Sequence, residues 1–431
     1  MNPAPAALAA HLPPPGAHAA FPPGTPSAAT TGVGADLAAA AHCPALGRVL
    51  LVTAGVGGGH LRAAQAVERE LRRGVECGLW SAESIQLIDV LDFAARPFRV
   101  AYRDGYLGLI RNAPALVGWL YKRSDVPWRG RGLRSVMNRL ALGRLRAHLR
   151  AERPDLIIST HFLSSEFVAW MRGRRELTAR LATVVTDMDV HGLWFASPCD
   201  HFLVATDEAA EILAAAGMNR ATIEVTGIPI DPRFEELPSK RVARAALELP
   251  LDRPVVLFAS GGVGTGRLEE IFAQLLRVPP PVHLVAICGR NRRAERALRA
   301  LLEAHRPPTG QSAQVIGFTE RMHEWMAAAD LLVGKPGGLT SSEARAAHLP
   351  MIIVDPVPGQ EERNADHLLE WGVALRANTL RTLGWKVNRL LRNHDARVSM
   401  QRSAAAHARP ASARSACEVL ARAAVRETRT G

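Results

Sequence analysis

From residue 48 the chain alternates short apolar runs with stretches of helical pattern, the rhythm of parallel strands covered by helices. The first series of predicted strands is Val49 to Thr53, Ile85 to Val90, Leu156 to Ser159, Ala182 to Thr186, Phe202 to Ala205 and Ile223 to Thr226. A stretch with two prolines, Gly227-Ile-Pro-Ile-Asp-Pro-Arg-Phe234, then breaks the pattern. A second series follows: Val255 to Ala259, Leu284 to Ile287, Val315 to Gly317, Leu331 to Val333 and Ile352 to Val354. This predicts an α/β fold of two Rossmann-like domains, 46–230 and 231–400. Such domains bind ligands outside the C-terminal ends of their strands, so two facing each other enclose a cleft. Residues 1–45, rich in Ala, Pro, Gly and Thr, have little to bury and are expected to be disordered. The Ala/Arg-rich stretch 401–431 is expected to be helical and able to pack back on the first domain.

Residues 330 to 364 carry the densest chemistry. A buried strand is followed by a glycine turn (Gly337, Gly338), a helix opening at Thr340 to Ser342, another strand and the polar loop Pro358-Gly-Gln-Glu-Glu-Arg-Asn364. Bare backbone N–H groups and the positive end of a helix dipole make such a turn an anion site. Glu343 stands inside that helix, where a carboxylate suits a diol. Phosphate at the turn and a diol at the acid describe a nucleotide with its ribose. Lys335 is one of four lysines in the chain and stands in this turn.

Two further glycine turns follow first strands. Gly55-Val-Gly-Gly-Gly-His60 has histidine where a dinucleotide fingerprint needs its third glycine, which counts against NAD. A histidine at a helix N-terminus is favoured in its neutral form and suits a general base; capping of its own helix is the alternative. In Ser260-Gly-Gly262-Val-Gly264-Thr-Gly-Arg267, backbone N–H groups and Arg267 suit a diphosphate, or the turn merely closes a βα unit. Thr186-Asp187-Met188-Asp189-Val190-His191 follows a strand of the first domain. Its Asp-x-Asp can be read as a metal site, but it lies opposite the nucleotide turns, so Asp187 and His191 are better read as acceptor-side groups or supports for His60. A structural role for one of them stays open.

The net charge of +12 is concentrated. Between Arg96 and Arg150 there are 12 Arg and one Lys against two Asp, so 13 less 2 leaves +11 there. Tyr102, Tyr106, Trp119, Tyr121 and Trp128 are interleaved with these cations, which include Arg129 and Arg131. Rings at headgroup level and arginines on anionic lipid suit a membrane surface; a solvated basic helix pair or an RNA-associated surface is the competing reading, although no RNA-binding module motif accompanies it and no nucleic acid is expected. No apolar run reaches the ~18–20 residues of a spanning helix. The five cysteines show neither zinc-site nor disulfide spacing, as expected of a cytoplasmic protein.

Four blocks together resemble the monogalactosyldiacylglycerol synthase and processive diacylglycerol glucosyltransferase family, within glycosyltransferase family 28 and the GT-B fold. They are Gly57-Gly-Gly-His60; Thr186-Asp187 through His191 and Trp194 to Val225-Thr-Gly-Ile-Pro229; Gly317-Phe318-Thr319 through Met322; and Lys335-Pro-Gly-Gly-Leu-Thr-Ser-Ser-Glu343 with Gln360-Glu361. The resemblance spans about residues 48 to 376 and implies a UDP-sugar donor, UDP-glucose or UDP-galactose, in the second domain. Phe318 and Thr319 would lie against the base, Glu343 on the ribose, and Gly337, Gly338, Leu339 and Thr340 near the diphosphate. Gln360 and Glu361 would read the sugar, and His60 would take the proton of an acceptor such as diacylglycerol. A single displacement would invert the anomeric carbon to a β-glycolipid without cofactor or metal. A peripheral position on the inner face of the cell membrane would follow. Met188 stands where the family more often has an aromatic residue. A soluble acceptor, or a non-enzymatic nucleotide-sugar-binding or RNA-associated role, are the alternatives.

Overall fold

The computed structural model describes residues 43–127, 132–259, 267–305 and 307–430. Gly262, Gly264, Trp128, Arg129 and Arg131, the side chain of Tyr106 and all but the last three residues of the Ala/Pro-rich stretch lie outside the described residues. The described chain already pairs at Ala45, which bridges to Ser81.

Two six-stranded sheets, parallel throughout, form the framework. The first contains β1 (Arg48–Thr53), β2 (Ser84–Asp89), β3 (Leu156–Ser159), β4 (Arg180–Val184), β5 (His201–Val204) and β6 (Ile223–Val225), in the order β2-β1-β3-β4-β5-β6. The second contains β7 (Val255–Ala259), β8 (Val282–Ile287), β9 (Gln311–Ile316), β10 (Leu331–Gly334), β11 (Met351–Ile353) and β12 (Ala374–Arg376), in the order β12-β11-β10-β7-β8-β9. Central strands such as β3, β7 and β8 are buried along their whole length, because helices cover both faces of a parallel sheet. Every predicted strand is present within a few residues. β12 was not predicted: three residues with an exposed Leu375 give little apolar signal.

Strand order places the ligand crevices. In each sheet the chain reverses direction beside its first strand, between β1 and β3 and between β7 and β10, and loops leaving such a pair at their C-terminal ends splay apart. The helices that matter to those crevices are α1 (Gly59–Glu76), α2 (Pro114–Ser124), α3 (Phe162–Gly173), α4 (Gly338–Ala346), α5 (Gln360–Glu370) and α6 (Ser412–Thr430). The last buries Ala416, Cys417 and Leu420 against Val67 and Leu71 of α1, so it completes the core of the first sheet rather than the second.

Apolar packing continues from one half into the other. Met188, fully buried, joins Ile228 and Ile230 in one cluster with Leu332, Leu339 and Ala344. A flexible thioether fills this irregular junction, which gives a packing reason for the methionine at 188.

Candidate active site

β1 and β3 are hydrogen-bonded neighbours, so the loops that leave them meet. The first is the glycine turn. The carboxylate of Asp89 accepts from Gly55 N at 2.9 Å, which puts a negative charge inside the turn where a dinucleotide would place its diphosphate. Gly57 takes a left-handed φ of 82°, and α1 starts two residues later. His60 therefore sits in the first turn of α1 with its ring directed at the loop after β3, and it does not cap its own helix.

Nδ1 of His60 lies 2.9 Å from the carbonyl oxygen of Thr160 and 2.7 Å from Thr186 Oγ1. A carbonyl only accepts, so Nδ1 carries the ring proton and Nε2 the lone pair. Burial lowers the pKa of His60 to about 4, against an upward pull from the Thr160 carbonyl. The imidazole is therefore neutral, with one defined basic atom.

Thr186, just beyond β4, has a second role. Its carbonyl oxygen abuts Gly338, the first residue of α4, so closely that no Cβ fits there. The N-cap of α4, Gly337, has no side-chain acceptor, so the first N–H groups of the helix lack the usual internal partner. Lys335 Nζ stands 3.9 Å from Asp355 Oδ2, and Arg267 Nε 4.0 Å from its Oδ1. An uncapped helix start and two cations thus gather at the C-terminal ends of β10 and β7.

The remaining predicted residues are paired across the cleft or locally. Asp187 Oδ1 accepts from Gln360 Nε2. Burial raises the pKa of Asp187 to about 6, while hydrogen bonds from Gln360 and Trp194 pull it down. Glu343 is fully buried and paired through Oε1 with Arg62 of α1, with Oε2 buried and unpartnered among the described residues; burial raises its pKa, opposed by Arg62. Glu361 accepts from Val357 N at 2.7 Å. Thr340 is half-buried and Leu339 buried in α4. Phe318 is exposed with the Arg290 guanidinium 4.8 Å above its ring, and Thr319 Oγ1 accepts from Arg321 N at 3.0 Å.

His191 has both ring nitrogens engaged: Nδ1 accepts from Leu193 N at 3.1 Å, so Nε2–H donates to the Tyr121 carbonyl at 2.9 Å. That geometry makes it a clamp on the end of α2. The aromatic and basic group divides. Trp119 is exposed, whereas Tyr121 turns inward onto Gly359 with its ring tilted against that of His191, centroids 4.1 Å apart, and Tyr102 lies 5.4 Å from Phe98 and 6.3 Å from His161.

Several residues of this arrangement escaped sequence reasoning. Arg363 of α5 donates to Asp189 at 3.0 Å and to Asp125 at the end of α2, tying both halves and the basic segment together. Asn364 accepts from Met188 N at 3.0 Å. Thr160 and His161 follow β3 directly, and their place at the switch point was the available signal.

Residues 60–230 match the family described as monogalactosyldiacylglycerol (MGDG) synthase, and residues 257–415 the glycosyltransferase family 28 C-terminal domain. The processive diacylglycerol beta-glucosyltransferase of Staphylococcus carnosus (strain TM300) is 28% identical over 341 residues, covering 77% of this chain and 81% of that protein. Its counterpart from Staphylococcus saprophyticus is 27% identical over 340 residues, with the same coverage. Among solved structures, MurG of Acinetobacter baumannii superposes with a TM-score of 0.55 at 16% identity, over 86% of this chain and 98% of that one. The S. aureus MnaA–UDP co-structure gives 0.57 at 12% identity, over 85% and 94%. At such identities the likeness is one of fold, and that fold is GT-B.

Proposed function

Because this chain belongs to the glycosyltransferases that join a monogalactosyldiacylglycerol synthase domain to a family 28 C-terminal domain, we propose that it moves a hexose from a UDP-sugar to diacylglycerol and inverts the anomeric carbon. The observation that carries this reading is the alignment of two devices through Thr186. Its hydroxyl holds the neutral His60 ring, and its carbonyl abuts the uncapped start of α4.

The acceptor hydroxyl gives its proton to His60 Nε2 as its oxygen bonds to the anomeric carbon. The bond from that carbon to the UDP oxygen breaks, and the electron pair leaves on the diphosphate. The N–H groups of α4, with Lys335 and Arg267, stabilise that charge. A bound diphosphate also brings negative charge into the cleft, which raises the basicity of His60 from its resting value. Glu343 takes the ribose once Arg62 yields or shares its oxygen, and Gln360 and Glu361 contact the hexose. The division near residue 230, with 401–431 serving the first domain, belongs to the same reading.

Val100, Leu116, Trp119, Leu120, Met137 and Leu140 are exposed in the same basic segment as the exposed Lys122 and Arg123, which supports docking of this segment on anionic lipid at the inner face of the cell membrane. No helix among the described residues is long and apolar enough to cross a membrane.

The test supplies UDP-glucose or UDP-galactose with diacylglycerol in anionic vesicles, beside His60→Ala. Glycolipid from the wild type and not from the variant supports the reading and identifies the sugar. Donor hydrolysis without glycolipid moves the acceptor to a soluble molecule, and absence of donor binding overturns the reading.

A further inference from the structure

His161 has a place in the cleft that helix capping does not exhaust. It follows β3, is 2% exposed, and its ring lies edge-on to that of His60 with centroids 4.6 Å apart. Its Nδ1 accepts the N–H of Leu163 at 3.0 Å, which caps α3. A backbone N–H only donates, so Nδ1 holds the lone pair and Nε2 the proton, the opposite tautomer to His60. Among the described residues no hydrogen bond engages Nε2 of either ring, and neither atom is sealed off as a buried unsatisfied group, so each keeps access to solvent. Burial, reinforced by the neighbouring imidazole, holds the pKa of His161 well below the ordinary histidine value, so it stays neutral and serves as a donor rather than a second base.

We propose that His161 binds the acceptor, donating Nε2–H to a carbonyl oxygen next to the hydroxyl that His60 deprotonates. This rests on the glycolipid-forming reading above. A lone pair on one ring and an N–H on its neighbour match a molecule that presents a hydroxyl and, a few bonds away, a strong acceptor. The walls are apolar: Phe162 is 4.2 Å from the His161 ring and Trp194 6.1 Å from that of His60. Together they select a hydroxylated ester of low polarity over a free sugar or a charged acceptor. An ester carbonyl is a better hydrogen-bond acceptor than an ether oxygen, so the linkage of the acyl chains becomes a recognised feature.

The experiment compares diacylglycerol with its dialkyl ether analogue in the wild type, His161→Asn and His161→Gln. Asparagine keeps an oxygen near the position of Nδ1, and with it the helix cap, but removes the donor at Nε2; glutamine does the reverse. The wild type is expected to favour the ester in kcat/KM by about 5–10-fold, the worth of one neutral hydrogen bond. In His161→Asn this ratio falls to about 1, with unchanged thermal stability and donor binding, whereas His161→Gln is less stable but keeps part of the preference. The same ester-to-ether ratio in the wild type and His161→Asn overturns the assignment and leaves His161 as a cap. A wild type that binds UDP-sugar yet glycosylates neither lipid refutes the glycolipid reading itself, and this assignment with it.

Discussion

The carbonyl oxygen of Thr186 occupies the space that a Cβ at position 338 would need, and Ile228 Cδ1 lies only 2.9 Å from that point. The obstruction is backbone against backbone, so no rotamer change relieves it. Gly338→Ala is expected to push α4 off the first half of the molecule. A shift of about 1 Å in a reacting group costs about 10²-fold in rate, so turnover should fall by at least that much while donor binding falls less. Steady-state kinetics beside calorimetric titration of UDP would separate the two. Unchanged turnover would mean that the contact does not set the position of the Gly337–Gly338 turn.

Arg363 bridges the halves through Asp189 and Asp125, and its guanidinium lies 5.5 Å from the centre of the Tyr121 ring. Both carboxylates are mostly buried whereas the arginine is about one-third exposed. The pairing should therefore fall between an exposed ion pair, at about 1 kcal/mol, and a buried one, at about 3 kcal/mol. Arg363→Ala is expected to lower the melting temperature and the affinity for UDP-sugar, and Arg363→Lys to restore part of the stability. Unaltered melting in both variants would assign the pairing no structural weight.

Two groups of the cleft give opposite pH signatures. The folded pKa of His60, about 4, lies below its ordinary 6.5. Unfolding thus takes up a proton between these values, and the stability contributed by neutral His60 is complete above pH 6.5 and lost as pH falls toward 4. Asp187 is raised from 3.8 to about 6, so its contribution is complete below pH 4 and lost as pH rises through 6. Near pH 6, activity in the wild type should show an inflection that Asp187→Asn removes, because protonation of Asp187 alters the acceptor of Gln360. His60 itself should stay unprotonated through that range in the free enzyme. An inflection near 6 that survives in Asp187→Asn would assign it elsewhere.

Leu140 is 80% exposed and Trp119 57%, both on the basic segment. Trp119→Ser with Leu140→Ser is expected to reduce sedimentation with anionic vesicles by about 10-fold or more, since each large side chain withdrawn from water contributes about 1.5–3 kcal/mol. Turnover on a short-chain, dispersed acceptor should hardly change. Equal binding to neutral and anionic vesicles at low salt would remove the role of the arginines.

The framework was legible because buried parallel strands are written as local apolar runs, and even the uncapped glycine turn at Gly337 and Gly338 announced itself by composition. What the sequence concealed is relational. Nothing near Arg363 marks it as a bridge to residues 125 and 189. Arg62 reads as one more helical cation, yet it pairs with Glu343. Tyr121 looked like a companion of Trp119, but a two-residue step along the helix places them on different faces, one against Gly359 and the other in solvent. The tautomer of His60 depends on a carbonyl one hundred residues away, which no local pattern records.

The helix from Ser412 also bears on the order in which this chain can become structured. Val67 and Leu71 are made early, but their cover, Ala416 to Leu420, is synthesised only after the whole second sheet. A nascent chain therefore carries an open apolar seam on its first half while the second half folds. It must remain soluble, or be held by a chaperone, until the later segment comes back to close it.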